Sequence, residues 1–544
     1  MIPRKLGLSI YTQGGQFRMK KKNKTVLLAL FLTMIMILSA CGGGSNNNNK
    51  AASTDTPSVG ADATQAPADA QDGALDTSKE VNLKMIFVGP KPVDYDQVFA
   101  EINKKLKEKI NATIEGEFLD WSDWAQKYPL KLAANEDFDL IYSANWAGYN
   151  DQALKGGFLE LTDEMISKYM PATKAAMPEV NWGQAKVNGK LYMVPQNRGE
   201  SVEKLILYRE DLRKKYNLPA IDSPEAYANY LKAVAANEKG IVPFTPETGD
   251  WKLHNLDRIL LKQQNDWNML DFDLPLGFKL TDDTGKIFNV YETPEFKELL
   301  KYYKDLADNN AWSKNVLNSK NDHQQDFKEG KTASITHNMG TLGSIMEVMR
   351  RENSPFEVAL ADITPNAKKS QAVSTQNGTS IHATSKNPER AMMFIDLMQN
   401  DKELHDLIMS GINGVHYEPV GDDKFKSLAK SDNYTGFSNW SFNSPLNRTN
   451  ESFPQEANTM AADWEAKIYH YPLETFVFDN SKVKTEVANV SNVMLRYAIP
   501  LEYGVIDDID KGIADLNKQV KAAGLEKIQA EMQSQIDAFL AANK

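Results

Sequence analysis

The chain has 544 residues, with 62 Lys and Arg against 73 Asp and Glu, a formal net charge of −11, seven histidines and one cysteine. A surface with that acidic excess repels phosphate backbones and anionic lipid headgroups, which argues against nucleic acid and against peripheral membrane binding. One thiol can form neither an internal disulfide nor a two-cysteine metal site, and so few histidines give little for a His-based metal centre, so neither a metal nor a cofactor is expected.

The single cysteine has an instructive setting. A basic run, "KKKNK" at 20–24, is followed by the unbroken apolar run "VLLALFLTMIMIL" at 26–38 and then by "LSAC", which ends at Cys41. An apolar run of 13 residues is shorter than the roughly 20 needed to span a bilayer, but it suits the h-region of a signal peptide. "LSAC" resembles the bacterial lipobox, which implies that Cys41 is lipidated and that residues 1–40 are a signal peptide cut away before it. Residues 1–18 stand outside that pattern, so translation is expected to start at Met19. From Cys41 onward, 55 basic residues face 73 acidic ones, a net charge of −18. Residues 41–79 are dominated by Gly, Ser, Asn, Ala, Thr, Asp and Pro, contain no aromatic and are expected to be a disordered tether.

Ordered structure is expected from "VNLKMIFVGP" at 81–90, a strand closed by a Gly-Pro turn. Val98, Ile102, Leu106 and Ile110 recur every fourth residue and predict an amphipathic helix. "NATIEGEFL" reads as a strand, "WAQKYPLKLAAN" as a helix despite Pro129, and "FDLIYSA" as a third strand. This alternation predicts an α/β fold with a parallel sheet and ligands near the carboxyl ends of its strands. "GKLYMVPQ" follows as a strand, "KLILYREDLRKKY" as a strand entering a helix, and "SPEAYANYLKAVAA" as a helix capped by Ser223. "FKLTDDTGKIFNVY" predicts a hairpin. Then come a capped helix, "TPEFKELLKYYKDLADNN"; a strand, "GKTASITHN"; two helices, "NPERAMMFIDLMQN" and "KELHDLIMSG"; and a helical C-terminus broken at Gly524.

Four stretches carry a resemblance. "FDLIYSANWAGYNDQALKGGFLELTD", "VNGKLYMVPQNRGESVEKLILYREDL", "FKEGKTASITHNMGT" and "NGTSIHATSKNPERAMMFIDLM" lie in order between about residues 138 and 398. Together they resemble the type 1 extracellular solute-binding proteins, the sugar-capturing subunits of ABC importers. "ETFVFDNSKVKTEVANVSNV" onward resembles the domain that closes a lipoprotein subgroup of that family from Gram-positive bacteria. The resemblance implies a two-lobed periplasmic-binding-protein-like fold (type II). Each lobe would be a mostly parallel sheet flanked by helices, with a ligand cleft between them. Lobe 1 would be 80–198 with 370–470 and lobe 2 would be 199–369 with 471–544, joined by crossings near 196–201, 364–379 and 472–480. It also implies a carbohydrate ligand, permease subunits as partners and a monomer held at the outer face of the membrane by the lipid on Cys41.

A sugar offers an apolar ring face and a rim of hydroxyls, so its site needs aromatic platforms beside polar groups. Loop aromatics flanked by polar residues are therefore the candidates: Trp121 and Trp124 in "DWSDW"; Tyr142, Asn145 and Trp146 in "YSANW"; Trp251 in "ETGDW"; and Trp440 in "FSNWSFN". Arg198 and Glu200 in "PQNRGE" and His337 and Asn338 in "THN" complete the set. Each competes with a structural role, since tryptophan in an α/β protein is commonly core; Trp267 and Trp312 are assigned there. Relatives often carry a charged residue where Asn145 stands and an aromatic where Gly340 stands, so the sugar itself does not carry over.

Catalytic motifs are weak. "GKT" at 330–332 lacks the upstream glycine of a phosphate-binding loop, and there is no G-x-S-x-G or H-E-x-x-H. "DFDLPLG" opens like a calcium loop but lacks its third acid and its glycine. Two classes remain: a non-enzymatic binder of an oligosaccharide, with a peptide or other polar solute as the alternative, and a tethered glycoside hydrolase using two carboxylates.

Overall fold

The computed structural model describes residues 76–134, 136–199, 203–247, 255–269, 274–319 and 321–542. Strand β1 (Val81–Val88) leads into helix α1 (Tyr95–Ile110), β2 (Ala112–Leu119), α2 (Trp124–Ala133) and β3 (Leu140–Ser143). Val98, Ile102, Leu106 and Ile110 are all buried, as their spacing predicts. β1 pairs in parallel with both β2 and β3, the arrangement expected when a helix crosses between successive strands.

The next segment departs from expectation. "GKLYMVPQ" is broken into two short pieces, Lys190–Leu191 and β4 (Val194–Pro195), rather than one strand. β5 (Lys204–Arg209) follows, then α3 (Pro224–Asn237), where Ser223 Oγ accepts the Ala226 N–H and Pro224 occupies the first turn. The expected hairpin gains a third strand: β6 (Trp267–Met269), β7 (Leu276–Lys279) and β8 (Ile287–Asn289) form an antiparallel sheet. α4 (Pro294–Asp308) is capped by Thr293. β9 (Ser334–Asn338), α5 (Met339–Arg351) and β10 (Val358–Ala361) come next, then β11 (Gly378–Ile381), α6 (Pro388–Asn400) and α7 (Lys402–Ser410). α8 (Gln455–Glu465), α9 (Lys484–Val493), α10 (Ile509–Ala522) and α11 (Leu525–Ala542) complete the chain, with Gly524 between the last two.

Two lobes result. The first carries a sheet of order β2-β1-β3-β11-β4, parallel over its first three strands and antiparallel beyond. The second carries β9-β5-β10, whose pairs are all antiparallel. That corrects the expectation of a mostly parallel sheet in each lobe. β5 brings the chain into the second lobe and β10 takes it back out, so the two must run in opposite directions. α9, α10 and α11 bury Val490, Leu516, Ile528 and Ile536 in one core with Tyr227, Leu231 and Leu300 of the second lobe. A second correction concerns residues 455–465. Ala457 and Trp464 of α8 pack with Leu205, Leu207 and Ile335. This helix therefore packs on the sheet of the second lobe, although the resemblance implies that 370–470 lie with the first.

β2 is an edge strand, and side chains of α1 engage three of its outward polar groups. Asn103 Oδ1 accepts the Ile114 N–H (2.7 Å) while Asn103 Nδ2 donates to the Ile114 carbonyl (3.1 Å). Tyr95 Oη accepts the Gly116 N–H at 2.6 Å.

Candidate functional site

The register of each sheet fixes which edge meets the crossings. Gly378 lies opposite both Ser143 and Pro195, so β3 and β4 end, and β11 begins, at one edge of the first sheet. In the second sheet Asn338 lies opposite Lys204, where β9 ends and β5 begins. Both edges flank the links between lobes.

The first edge carries an aromatic wall. Just past β2, the Asp120 carboxylate accepts the Ser122 N–H (2.9 Å) and hydroxyl (2.8 Å), which tightens the turn bearing Trp121 and holds the Asp120 pKa below its usual value. The Trp121 indole N–H donates to the Gly436 carbonyl at 3.0 Å. That approach needs Gly89, whose φ is +111° and where a Cβ would lie 2.3 Å from the same carbonyl oxygen. Trp121 lies nearly parallel to Trp440, 11° between planes and 6.0 Å between centroids. Trp124 opens α2 and meets Trp146 edge-on at 5.5 Å and 80°. Trp146 donates its indole N–H to the Gln376 carbonyl (2.9 Å), and its own backbone N–H goes to Asn145 Oδ1 (2.7 Å). Trp121 is 40% exposed, and Trp124, Asn145, Trp146 and Trp440 are half-buried. Four indoles separated by as many as 319 residues of sequence, from 121 to 440, thus share one surface.

Tyr142 is different. It is fully buried, so it cannot offer a face to a ligand, contrary to the sequence reading. β3 is an interior strand covered on both sides, all four of its residues being buried. Tyr142 Oη instead accepts the Trp440 indole N–H at 3.2 Å and donates to Asn377 Oδ1 at 2.7 Å.

The second edge is charged. His337 Nε2 lies 3.9 Å from Glu247 Oε1, and the ring stacks on His323 at 6.3 Å and 16°. Burial, reinforced by the nearby Lys204 charge, pushes the His337 pKa down to about 3, so the imidazole is neutral at ordinary pH. Burial and then Arg258 lower the Lys204 ammonium to about 8. Glu203 is buried: burial pushes its carboxyl up, but Lys262 (3.0 Å) and the Ser370 N–H (2.7 Å) outweigh that and hold it below its ordinary value. Asn338 commits its side-chain carbonyl to the Thr341 N–H (2.9 Å) as the N-cap of α5. Arg198 is exposed on the first crossing. Glu200, Trp251 and the lipidation candidate Cys41 lie outside the described residues. Trp267 and Trp312 are buried, as expected.

Sequence reading missed the charged group around Glu203, Lys204, Glu247 and Arg258. Two charges opening an apolar strand, "EKLILYR", are the available signal, but charges at a strand start usually face water. Among the described residues no cluster of His, Cys, Asp or Glu could hold a metal ion. Aromatic faces on one edge and hydrogen-bonding groups on the other suit a hydroxyl-rich ring compound.

Comparison with known proteins gives the same direction. A family profile described as bacterial extracellular solute-binding protein matches residues 98–414, and a domain of unknown function (DUF3502) matches 472–541. A carbohydrate ABC transporter substrate-binding protein of Streptococcus pneumoniae is 27% identical over 479 residues, covering 86% of this chain and 92% of that protein. Among solved structures, the N-glycan transport solute binding protein NgtS of S. pneumoniae in complex with Man1GlcNAc has a TM-score of 0.69 at 24% identity, over 85% of this chain and 100% of that one. Its complex with Man5GlcNAc gives 0.67 over 86% and 100%, also at 24% identity. An extracellular solute-binding protein of Bifidobacterium longum subsp. infantis gives 0.62 at 16% identity, over 86% of this chain and 100% of that one. These likenesses establish a shared fold.

Proposed function

Because the chain belongs to the bacterial extracellular solute-binding protein family, we propose that it captures an oligosaccharide between its lobes and passes it to the permease subunits of an ABC importer. The observation that carries the reading is the wall of Trp121, Trp124, Trp146 and Trp440. Stacked sugar rings need apolar platforms of that width, whereas a peptide binder relies more on backbone pairing along a sheet edge. His337, neutral at ordinary pH, can both donate and accept a hydrogen bond, which suits a hydroxyl. Nothing in this assignment requires bond cleavage, so an incubated oligosaccharide should be recovered uncut.

A glycan-library thermal-shift screen tests the proposal, with N-glycan fragments first because NgtS is seen with two of them. A ligand at a hundredfold excess over Kd adds about 2.7 kcal/mol of stability, a rise of a few degrees for a protein of this size. Stabilisation by peptides alone would overturn the sugar assignment.

The anchor is tested separately. Wild-type protein should fractionate with membranes and take up labelled palmitate, while Cys41→Ser should be released into the medium or stall in processing. Fully soluble, unlabelled wild type would refute lipidation.

A further inference from the structure

We propose that Gln196, Asn377 and Asn443 form an amide junction that sets the aromatic wall, making Gln196 a positioning residue for solute binding although it lies behind the wall. This rests on the reading that the wall receives the solute. All three side chains are buried. Gln196 follows β4, Asn377 precedes β11, and Asn443 follows the turn at Asn439–Phe442. Their backbones are also tied: the Gln196 N–H donates to the Asn377 carbonyl and the Asn197 N–H to the Asn443 carbonyl, each at 2.8 Å.

The side chains form a directional chain. The Trp440 indole N–H donates to Tyr142 Oη (3.2 Å), Tyr142 O–H to Asn377 Oδ1 (2.7 Å), and Asn377 Nδ2 to Gln196 Oε1 (3.0 Å). A second arm arrives from the other side. His405 Nε2 lies 2.9 Å from Asn447 Oδ1, Asn447 Nδ2 donates to Asn443 Oδ1 (2.7 Å), and Asn443 Nδ2 donates to the same Gln196 Oε1 (3.3 Å). Gln196 Oε1 is therefore the acceptor on which both arms end. A buried amide N–H without its acceptor carries a full desolvation penalty and reorients to relieve it. If Asn377 turns, Tyr142 loses its acceptor and Trp440 loses its fixed seat. Each of the three segments contributes one amide to this point, so movement of any one of them is felt at Trp440.

The test uses protein labelled with 5-fluorotryptophan and ¹⁹F NMR, with the Trp440 line identified by Trp440→Phe. Gln196→Leu should shift or split the Trp440 line while the buried Trp312 and Trp464 lines of the second lobe stay put. Tyr142→Phe keeps the ring packing and removes only the hydroxyl, so it should move the same line even if Gln196→Leu folds poorly. By calorimetry with Man5GlcNAc as probe, each variant should bind about tenfold more weakly, and the double variant no worse than about tenfold, because both changes cut one chain. A Trp440 line unmoved in both variants overturns the junction, as does a hundredfold additive loss in the double variant. A moved line, with no oligosaccharide bound by wild type or variants, upholds the junction and overturns the binding reading.

Discussion

Trp121→Ala should lower oligosaccharide affinity by roughly 2–4 kcal/mol, the scale of an aromatic hot spot, while shifting the unfolding free energy of the empty protein by no more than about 1 kcal/mol. The asymmetry follows from its position. The ring is 40% exposed, leans on Trp440 and contributes one hydrogen bond to a carbonyl. Removing it uncovers little that was buried, yet it takes away one face of the wall. Trp146→Ala should behave differently, because its indole is half-buried against Trp124 and bonded to Gln376. There both affinity and stability should fall. A fully buried ring such as Trp464 should lose about 3–5 kcal/mol of folding stability when cut to alanine. Urea unfolding and calorimetry on each variant decide the matter. A Trp121→Ala protein that unfolds early but binds normally when folded would make Trp121 a structural residue.

Asp257→Asn should flatten the pH dependence of stability and make the protein more stable than wild type at pH 8. Asp257, in the second lobe, and Glu502, in the C-terminal segment, are both buried. Tyr303 donates to Asp257 Oδ1 (2.5 Å) and Tyr291 to Glu502 Oε1, while Asp257 Oδ2 and Glu502 Oε2 have no hydrogen-bond partner. Burial raises the Asp257 carboxyl to about 7, against the pull of Tyr303 and Arg258. Burial and then the charge of Asp257 raise Glu502 well above its ordinary value. A carboxyl raised on folding binds its proton more tightly in the folded state than in the unfolded one. Its favourable contribution is whole below the unfolded value near pH 4 and is lost as the pH climbs through about 7. A shift from 3.8 to about 7 corresponds to a loss of about 4 kcal/mol, at 1.36 kcal/mol per pKa unit. Asparagine keeps an acceptor for Tyr303 without the charge, so wild type and variant should match near pH 4, separate as the pH rises to about 7 and stay apart by a constant amount above it. Parallel curves would show that the pair does not titrate in this range. Glu502→Gln should relieve part of the same penalty, and the two changes should not add.

Much of the fold was legible because its signals are local. The spacing of Val98, Ile102, Leu106 and Ile110, the caps at Ser223 and Thr293, and the break at Gly524 each act within a few residues. Choosing loop aromatics beside polar residues named all four tryptophans of the wall, three of them just past strands whose carboxyl ends lie together. Other features depended on distant partners. Tyr142 looked like a loop aromatic because its strand is short, but a strand covered on both faces buries every residue. Asn338 looked like a ligand group at a strand end, whereas the next residue begins a helix that takes its carbonyl as a cap. The packing of α8 was hidden because only the tertiary structure brings Ala457 and Trp464 into one core with Leu205 and Leu207. Gln196, Asn377 and Asn443 lie up to 247 residues apart, and nothing in their neighbourhoods marks them as a group.

The side chains that close the outer rim of β2 have a consequence for life in a crowd. Molecules tethered to a membrane share a thin layer, where they collide far more often than the same number dispersed in bulk. A bare strand rim in such a layer would invite neighbour after neighbour to add on, ending in a sheet that no longer opens or closes. With Asn103 standing in for a neighbouring strand at Ile114 and the Tyr95 hydroxyl taking the Gly116 N–H, the middle of the slot a second molecule would need is already filled from within. On the proposed reading of a lipid-anchored chain, that leaves less of β2 for a neighbouring molecule to add onto.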